Sequence, residues 1–152
     1  MRLRILLVLS ANMFLLHAAL AENWSANAAV SNNYIWRGLT QSENVAAVSG
    51  GIDYSAPSGW YAGTWASNVS YAPGDVFSYE HDLYFGYSAS AGGIDYDVGY
   101  LYYNYDEEAE FDFAEVYGSV SINGFSASLN ILAHTEADES AGQDFGFAQT
   151  IY

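Results

Sequence analysis

The chain has 152 residues, of which 18 are acidic and only three are arginine or lysine, and its formal charge is −15. That balance offers no basic footprint for a phosphate backbone, which excludes nucleic acid as a partner. The absence of cysteine excludes disulfides and thiolate metal sites, while 17% aromatic residues and only two prolines fit a folded chain better than a disordered one.

At the N-terminus, Arg2 and Arg4 precede an apolar run over 5–9, a second apolar stretch covers 13–20, and Ala19-Leu20-Ala21 closes the segment. A charged start, an apolar middle and a small-x-small end predict a secretory signal peptide over 1–21, cut after Ala21. The mature domain, 22–152, would then carry 18 acids against a single base, Arg37, for a formal charge of −17. Beyond Ala21 no apolar run is long enough for a transmembrane helix, which needs about 18 residues.

From Trp24 onward apolar and polar residues alternate with a period of two, the signature of strands with two different faces. Apolar residues fall on even numbers from Trp24 to Val30, and the strand ends in Tyr34 and Trp36. Further alternating segments cover 46–56, 60–71, 79–88, 94–103, 114–122 and 125–134, with a weaker one over 144–152. Eight strands of about ten residues match the length that crosses a bilayer at a tilt. Short links of turn residues (57–59, 90–93, 123–124) alternate with longer, more acidic ones (38–44, 72–78, 106–110, 135–143). Tight turns on one side and long loops on the other are the layout of an outer-membrane barrel. The predicted fold is therefore all-β, an antiparallel up-and-down transmembrane β-barrel of about eight strands. The pentapeptide GGIDY occurs at 50–54 and 92–96, as if one hairpin-end design were used twice.

On this reading the polar faces turn to the lumen. They carry Arg37, in phase with Ser25, Asn27, Ser31 and Asn33, together with Asp53, Glu80, Asp82, Asp95, Asp97 and Glu115. Arg37 is expected to pair with lumen carboxylates, either as a latch that anchors the first loop or as one side of a transverse field at a constriction. Tyr34, Trp36, Tyr61, Tyr71, Tyr100 and Tyr102 are placed in aromatic girdles at the two interfaces. His81 is assigned to the lipid face and His134 to the lumen, with no nucleophile motif beside either, so no enzyme is expected. The loop acids around 106–112 and 136–139 suit solvation or loose bridging by divalent cations, without the ligand order of a calcium loop. No cofactor is implied.

The segments 34–42 (YIWRGLTQS), 51–54 (GIDY), 58–69 (SGWYAGTWASNV) and 97–105 (DVGYLYYNY) resemble the TorF-like porins, the Gcw-chp family of proteobacterial outer-membrane proteins. The similarity covers roughly 23–147. It implies an outer-membrane channel of a Gram-negative bacterium, passive passage of small solutes, and contacts with lipid, lipopolysaccharide and the barrel assembly machinery. Relatives typically continue through several more strands, so this chain is expected to be a reduced barrel or part of a larger one. An eight-strand barrel is about narrow enough for its own side chains to fill. A non-conducting surface or adhesion barrel is accordingly the alternative to a cation-preferring pore, and a barrel lipid hydrolase is a third reading.

Overall fold

The computed structural model describes residues 16–136 and 149–151, with side chains described for 22–136. Eleven strands run in chain order: β1 (Leu16–Ala21), β2 (Trp24–Ser31), β3 (Ile35–Trp36), β4 (Leu39–Thr40), β5 (Ala47–Ser55), β6 (Trp60–Asn68), β7 (Tyr79–Ala91), β8 (Ile94–Asn104), β9 (Phe113–Ile122), β10 (Phe125–Thr135) and β11 (Gln149–Ile151). One turn of 3-10 helix (Glu107–Ala109) lies between β8 and β9. Nine of the strands form one antiparallel sheet in the order β1-β2-β5-β6-β7-β8-β9-β10-β11, and β3 and β4 pair separately. The architecture is thus all-β and up-and-down. Among the described residues no pairing joins β11 back to β1, and no helix is long and apolar enough to cross a membrane.

The local chemistry explains the connections. Gly92-Gly93 and Asn123-Gly124 have φ of 62°, 80°, 50° and 82°, the double left-handed conformation of a two-residue hairpin whose twist matches its strands. The two GGIDY copies diverge here. In the second the glycines make the turn, whereas in the first Gly50 and Gly51 lie inside β5, so the pentapeptide is not one reused hairpin end. Leu16–Ala21, within the expected leader, pairs antiparallel with β2 in the uncleaved chain. Of the strand expected over 144–152, only β11 falls among the described residues.

The two faces of the sheet are inverted relative to a water-soluble domain, where charged residues are almost never fully buried. Buried side chains include Glu80 (2% exposed), Asp82, Asp112 and Glu115 (5%), whereas Val48 (61%), Ile52, Leu83, Phe85, Val98, Val116, Val120 and Phe125 (79%) are exposed. The polar face is the concave one. The hairpin that follows β2 reaches over it to β9, five strands away in the sheet order, where Arg37 pairs with Glu115, while Tyr61 of β6 and Tyr117 of β9 meet by their hydroxyls.

Glycines make that curl possible. Gly86 lies opposite Tyr61, Gly63 opposite Tyr84 and Gly99 opposite Tyr117, all in cross-strand register. A Cβ at any of the three would collide with the ring facing it. The rings therefore lie flat over bare backbone and reach across neighbouring strands. Gly86→Ala is expected to lift Tyr61 off the sheet and destabilise the fold by about 1–3 kcal/mol. The check is a lower urea midpoint in detergent; an unchanged midpoint would show that the ring does not depend on the glycine.

Candidate functional site: the acidic aromatic interior

Six tyrosine hydroxyls donate to five carboxylates. Tyr34 and Tyr105 both donate to Glu80 (2.6 and 2.7 Å), Tyr61 to Asp97 (2.6 Å), Tyr84 to Asp53, Tyr102 to Asp112 (2.5 Å) and Tyr103 to Glu115 (3.3 Å). A buried carboxylate without donors costs several kcal/mol, and hydrogen bonds to a charged group each return about 1.5–3 kcal/mol. Phenols thus do much of what lysines would do in a more basic chain.

Arg37 sits elsewhere than expected. It is not on β2; with Gly38 it forms the two-residue turn between β3 and β4, at φ 47° and 86°. That left-handed turn folds the hairpin back over the interior, so the guanidinium reaches β9 and grips both oxygens of Glu115 at 2.8 and 2.5 Å. Its own neighbour Trp36 lies beneath it, with Cζ 4.2 Å from the ring centroid. Trp36 in turn packs edge-on against Tyr103, which stacks on Phe113 at 4.2 Å. A cavity of about 470 Å³ opens beside the pair, lined by Tyr71, Phe77, Tyr105 and Phe111 among others.

The remaining expected lumen acids divide by depth. Glu80, Asp82 and Glu115 are buried on the concave face, and Asp53 and Asp97 lie half-buried under tyrosines. Asp95 is exposed near the Gly92-Gly93 turn, accepting a bond from Ser90. Asp97, Asp95, Ser88, Ser90, Ser119 and Ser121 line a separate polar cavity of about 410 Å³ at that end.

Several aromatic positions differ from the girdles drawn from sequence. Tyr34 and Tyr61 point into the interior, bound to Glu80 and Asp97, and Trp36 lies under the hairpin. Tyr71 is in the loop after β6, donating to Gln41, and burial pushes its phenol up to about 12. Tyr100 shares the outer face with Phe85, and Tyr102 reaches the loop carboxylate of Asp112. An outer aromatic group that periodicity did not single out sits at the tight-turn end: Trp24 against Tyr54 and Trp60 against Tyr87, both cross-strand pairs. The signal was present in part, since Trp24 and Trp60 are the first residues of β2 and β6 and Tyr54 is next to last in β5.

His134 also changes faces. An irregularity in β10 between Leu132 and His134 sets His134 opposite Ala114 of the outer face, and Thr135 rather than His134 lines the interior cavity. His81 is outward and shares a bond with Thr64 at 2.7 Å. The loop acids are not a free cluster either. Asp112 is buried, accepting from Tyr102, Asn104 and the Tyr105 N–H. Slight desolvation raises the Asp106 carboxyl, but bonds from Ser78 and the Tyr79 N–H outweigh it and hold the group below its ordinary range. Among the described residues no three His, Asp or Glu side chains converge as metal ligands. Asp138 and Glu139 lie outside the described residues.

A model of a bacterial protein family of unknown function, Gcw_chp, matches residues 17–150. The chain belongs to the Gcw_chp family. No curated protein and no solved structure matches it. The match spans the strands of the sheet's polar interior, including the Arg37 hairpin and Glu115.

Arg37→Ala would leave Glu115 buried, with the long bond from Tyr103 as its remaining side-chain donor among the described residues, and is expected to cost up to about 3 kcal/mol. Arg37→Lys should fall between, because an ammonium cannot hold both oxygens in a planar fork. Denaturant midpoints, together with protease cleavage within 32–46, read both effects. Equal midpoints and equal cleavage would mean that the pair holds nothing in place.

Proposed function

We propose that this Gcw_chp protein is an outer-membrane β-barrel that lets small solutes pass passively through an acidic, cation-preferring lumen. The carrying observation is the inversion of the sheet: apolar side chains cover its convex face while carboxylates and phenols fill its concave one. An apolar surface of this extent calls for lipid or a partner to cover it. Strands that alternate apolar-out and polar-in are how a barrel meets a bilayer. The tight turns at one end, the long loops at the other and the outward Trp24, Tyr54, Trp60 and Tyr87 support the same reading.

Export through a leader cut after Ala21, insertion by the barrel assembly machinery and contact with lipopolysaccharide belong to this proposal. Removal of 1–21 would also take β1 off the edge of β2, freeing that edge for the pairing that closes a ring. Divalent cations at the loops would be left with Glu107, Glu108 and Glu110, since Asp106 and Asp112 are engaged. Arg37 then acts as the anchor of the first loop at the mouth.

A second reading, a non-conducting barrel with a filled interior, is favoured by one specific contact. The Arg37–Glu115 ion pair holds the β3–β4 hairpin across the concave face, in space that a solute would need. Planar-bilayer recording of the refolded chain in a potassium chloride gradient separates the two. A pore of this charge should give discrete conductance with a reversal potential of cation-selective sign. Silence from a correctly folded, detergent-solubilised protein would overturn the pore and leave the filled barrel.

A further inference from the structure

Asp82 is the one interior acid that the tyrosine network leaves out. It lies on the concave face of β7, nine-tenths buried, and its Oδ1 has no hydrogen-bond partner among the described residues. The phenols around it are spent elsewhere: Tyr34 donates to Glu80, Tyr84 to Asp53, and Tyr117 shares a bond with Tyr61. Arg37, the sole arginine or lysine among the described residues, grips Glu115. Glu80, two residues away on the same face, adds further negative charge.

The space in front of Asp82 is an open depression of about 380 Å³ on the concave face, lined by Tyr34, Trp65, Asp82, Tyr84, Leu101 and Tyr117. Trp65 is the direct cross-strand neighbour of Asp82, and Tyr34 meets Trp65 edge-on at 5.3 Å. Four aromatic rings around one unsatisfied carboxylate suit a particular chemistry. A neutral solute could donate a hydrogen bond to the buried oxygen but would leave its charge, and that of Glu80 beside it, uncompensated. A bare metal ion prefers a shell of six or so oxygens, and this lining offers one carboxylate amid phenols already bonded to other groups. An alkylammonium is satisfied by both parts, because ring faces attract its diffuse charge and the carboxylate neutralises it. The volume falls within the roughly 300–1,000 Å³ typical of small-molecule sites.

We propose that the Asp82 depression binds a small organic ammonium cation, held by the Asp82 carboxylate and the rings of Trp65, Tyr34, Tyr84 and Tyr117. The site deepens the cation-preferring lumen proposed above by naming the class of cation. It also supplies the missing partner of Asp82 Oδ1.

The test is titration calorimetry of the refolded full chain in detergent with methylammonium chloride, whose N–H groups can donate to Asp82, against sodium chloride at equal ionic strength. Methylammonium should bind saturably and sodium should not displace it at equal concentration. Asp82→Asn should weaken binding by roughly tenfold or more and Trp65→Leu by several-fold, with unchanged far-UV circular dichroism, whereas Glu108→Gln in the outer loop should have no effect. If Asp82→Asn fails to fold, Trp65→Leu decides. No saturable binding, equal competition by sodium, or undiminished affinity in Asp82→Asn or in Trp65→Leu would overturn the site. Binding in detergent needs no open pore, so a silent bilayer recording with intact binding would remove the pore and keep the site. Conductance without binding would do the reverse.

Discussion

Everything in this sheet depends on how carboxylates are kept inside it. Burying Glu80 and Glu115 almost completely on the concave face requires donors for those two charges, since desolvation alone costs several kcal/mol per ion. Here most of the donors are phenols, joined at Glu115 by the Arg37 guanidinium. Tyrosine brings one hydroxyl at the tip of a rigid apolar ring, so the same side chain solvates an acid and fills the space around it. This is why a chain with 18 acids and no lysine can still fold around a polar interior.

The geometry of those phenols then dictates the backbone. For a ring on one strand to reach an acid on another, it must lie down across its neighbour, which needs a residue without a side chain at the crossing. Gly63, Gly86 and Gly99 stand at those crossings. The bare backbone there lets the rings lie against the sheet and reach the acids of neighbouring strands. The hairpin formed by β3 and β4 adds the last element. Its left-handed turn at Arg37 drops one guanidinium onto Glu115 and lays Trp36 against Tyr103, so the hairpin covers one end of the concave face.

Much of this was legible in the amino-acid order. Two-residue periodicity located the strands, because each has one face against apolar surroundings and one against polar, and turn chemistry at Gly92-Gly93 and Asn123-Gly124 marked the hairpins. Periodicity also put Glu80, Asp82 and Glu115 on the inner face. It failed where tyrosine is ambiguous. Tyr61 reads as an outer girdle residue by hydrophobicity, yet its hydroxyl is what binds Asp97, and alternation cannot tell a phenol that faces lipid from one that solvates a carboxylate. Local irregularity defeated it as well. The break in register after Leu132 turns His134 outward, and a two-residue turn inside an apparently continuous strand moves Arg37 from the sheet into a hairpin laid over it. The partners of each acid, and the lack of one at Asp82 Oδ1 among the described residues, arise from contacts between strands distant in sequence, which no local pattern records.

In the proposed barrel the convex face meets lipid while the concave face does not. That arrangement is tested most directly with two single-tryptophan proteins, one retaining Trp60 and the other Trp65, reconstituted in vesicles whose lipids carry bromine along the acyl chains. Strong quenching is expected of Trp60, which is exposed on the outer face, and weak quenching of Trp65 in the Asp82 depression. Equal quenching of the two, or quenching of Trp65 alone, would contradict it.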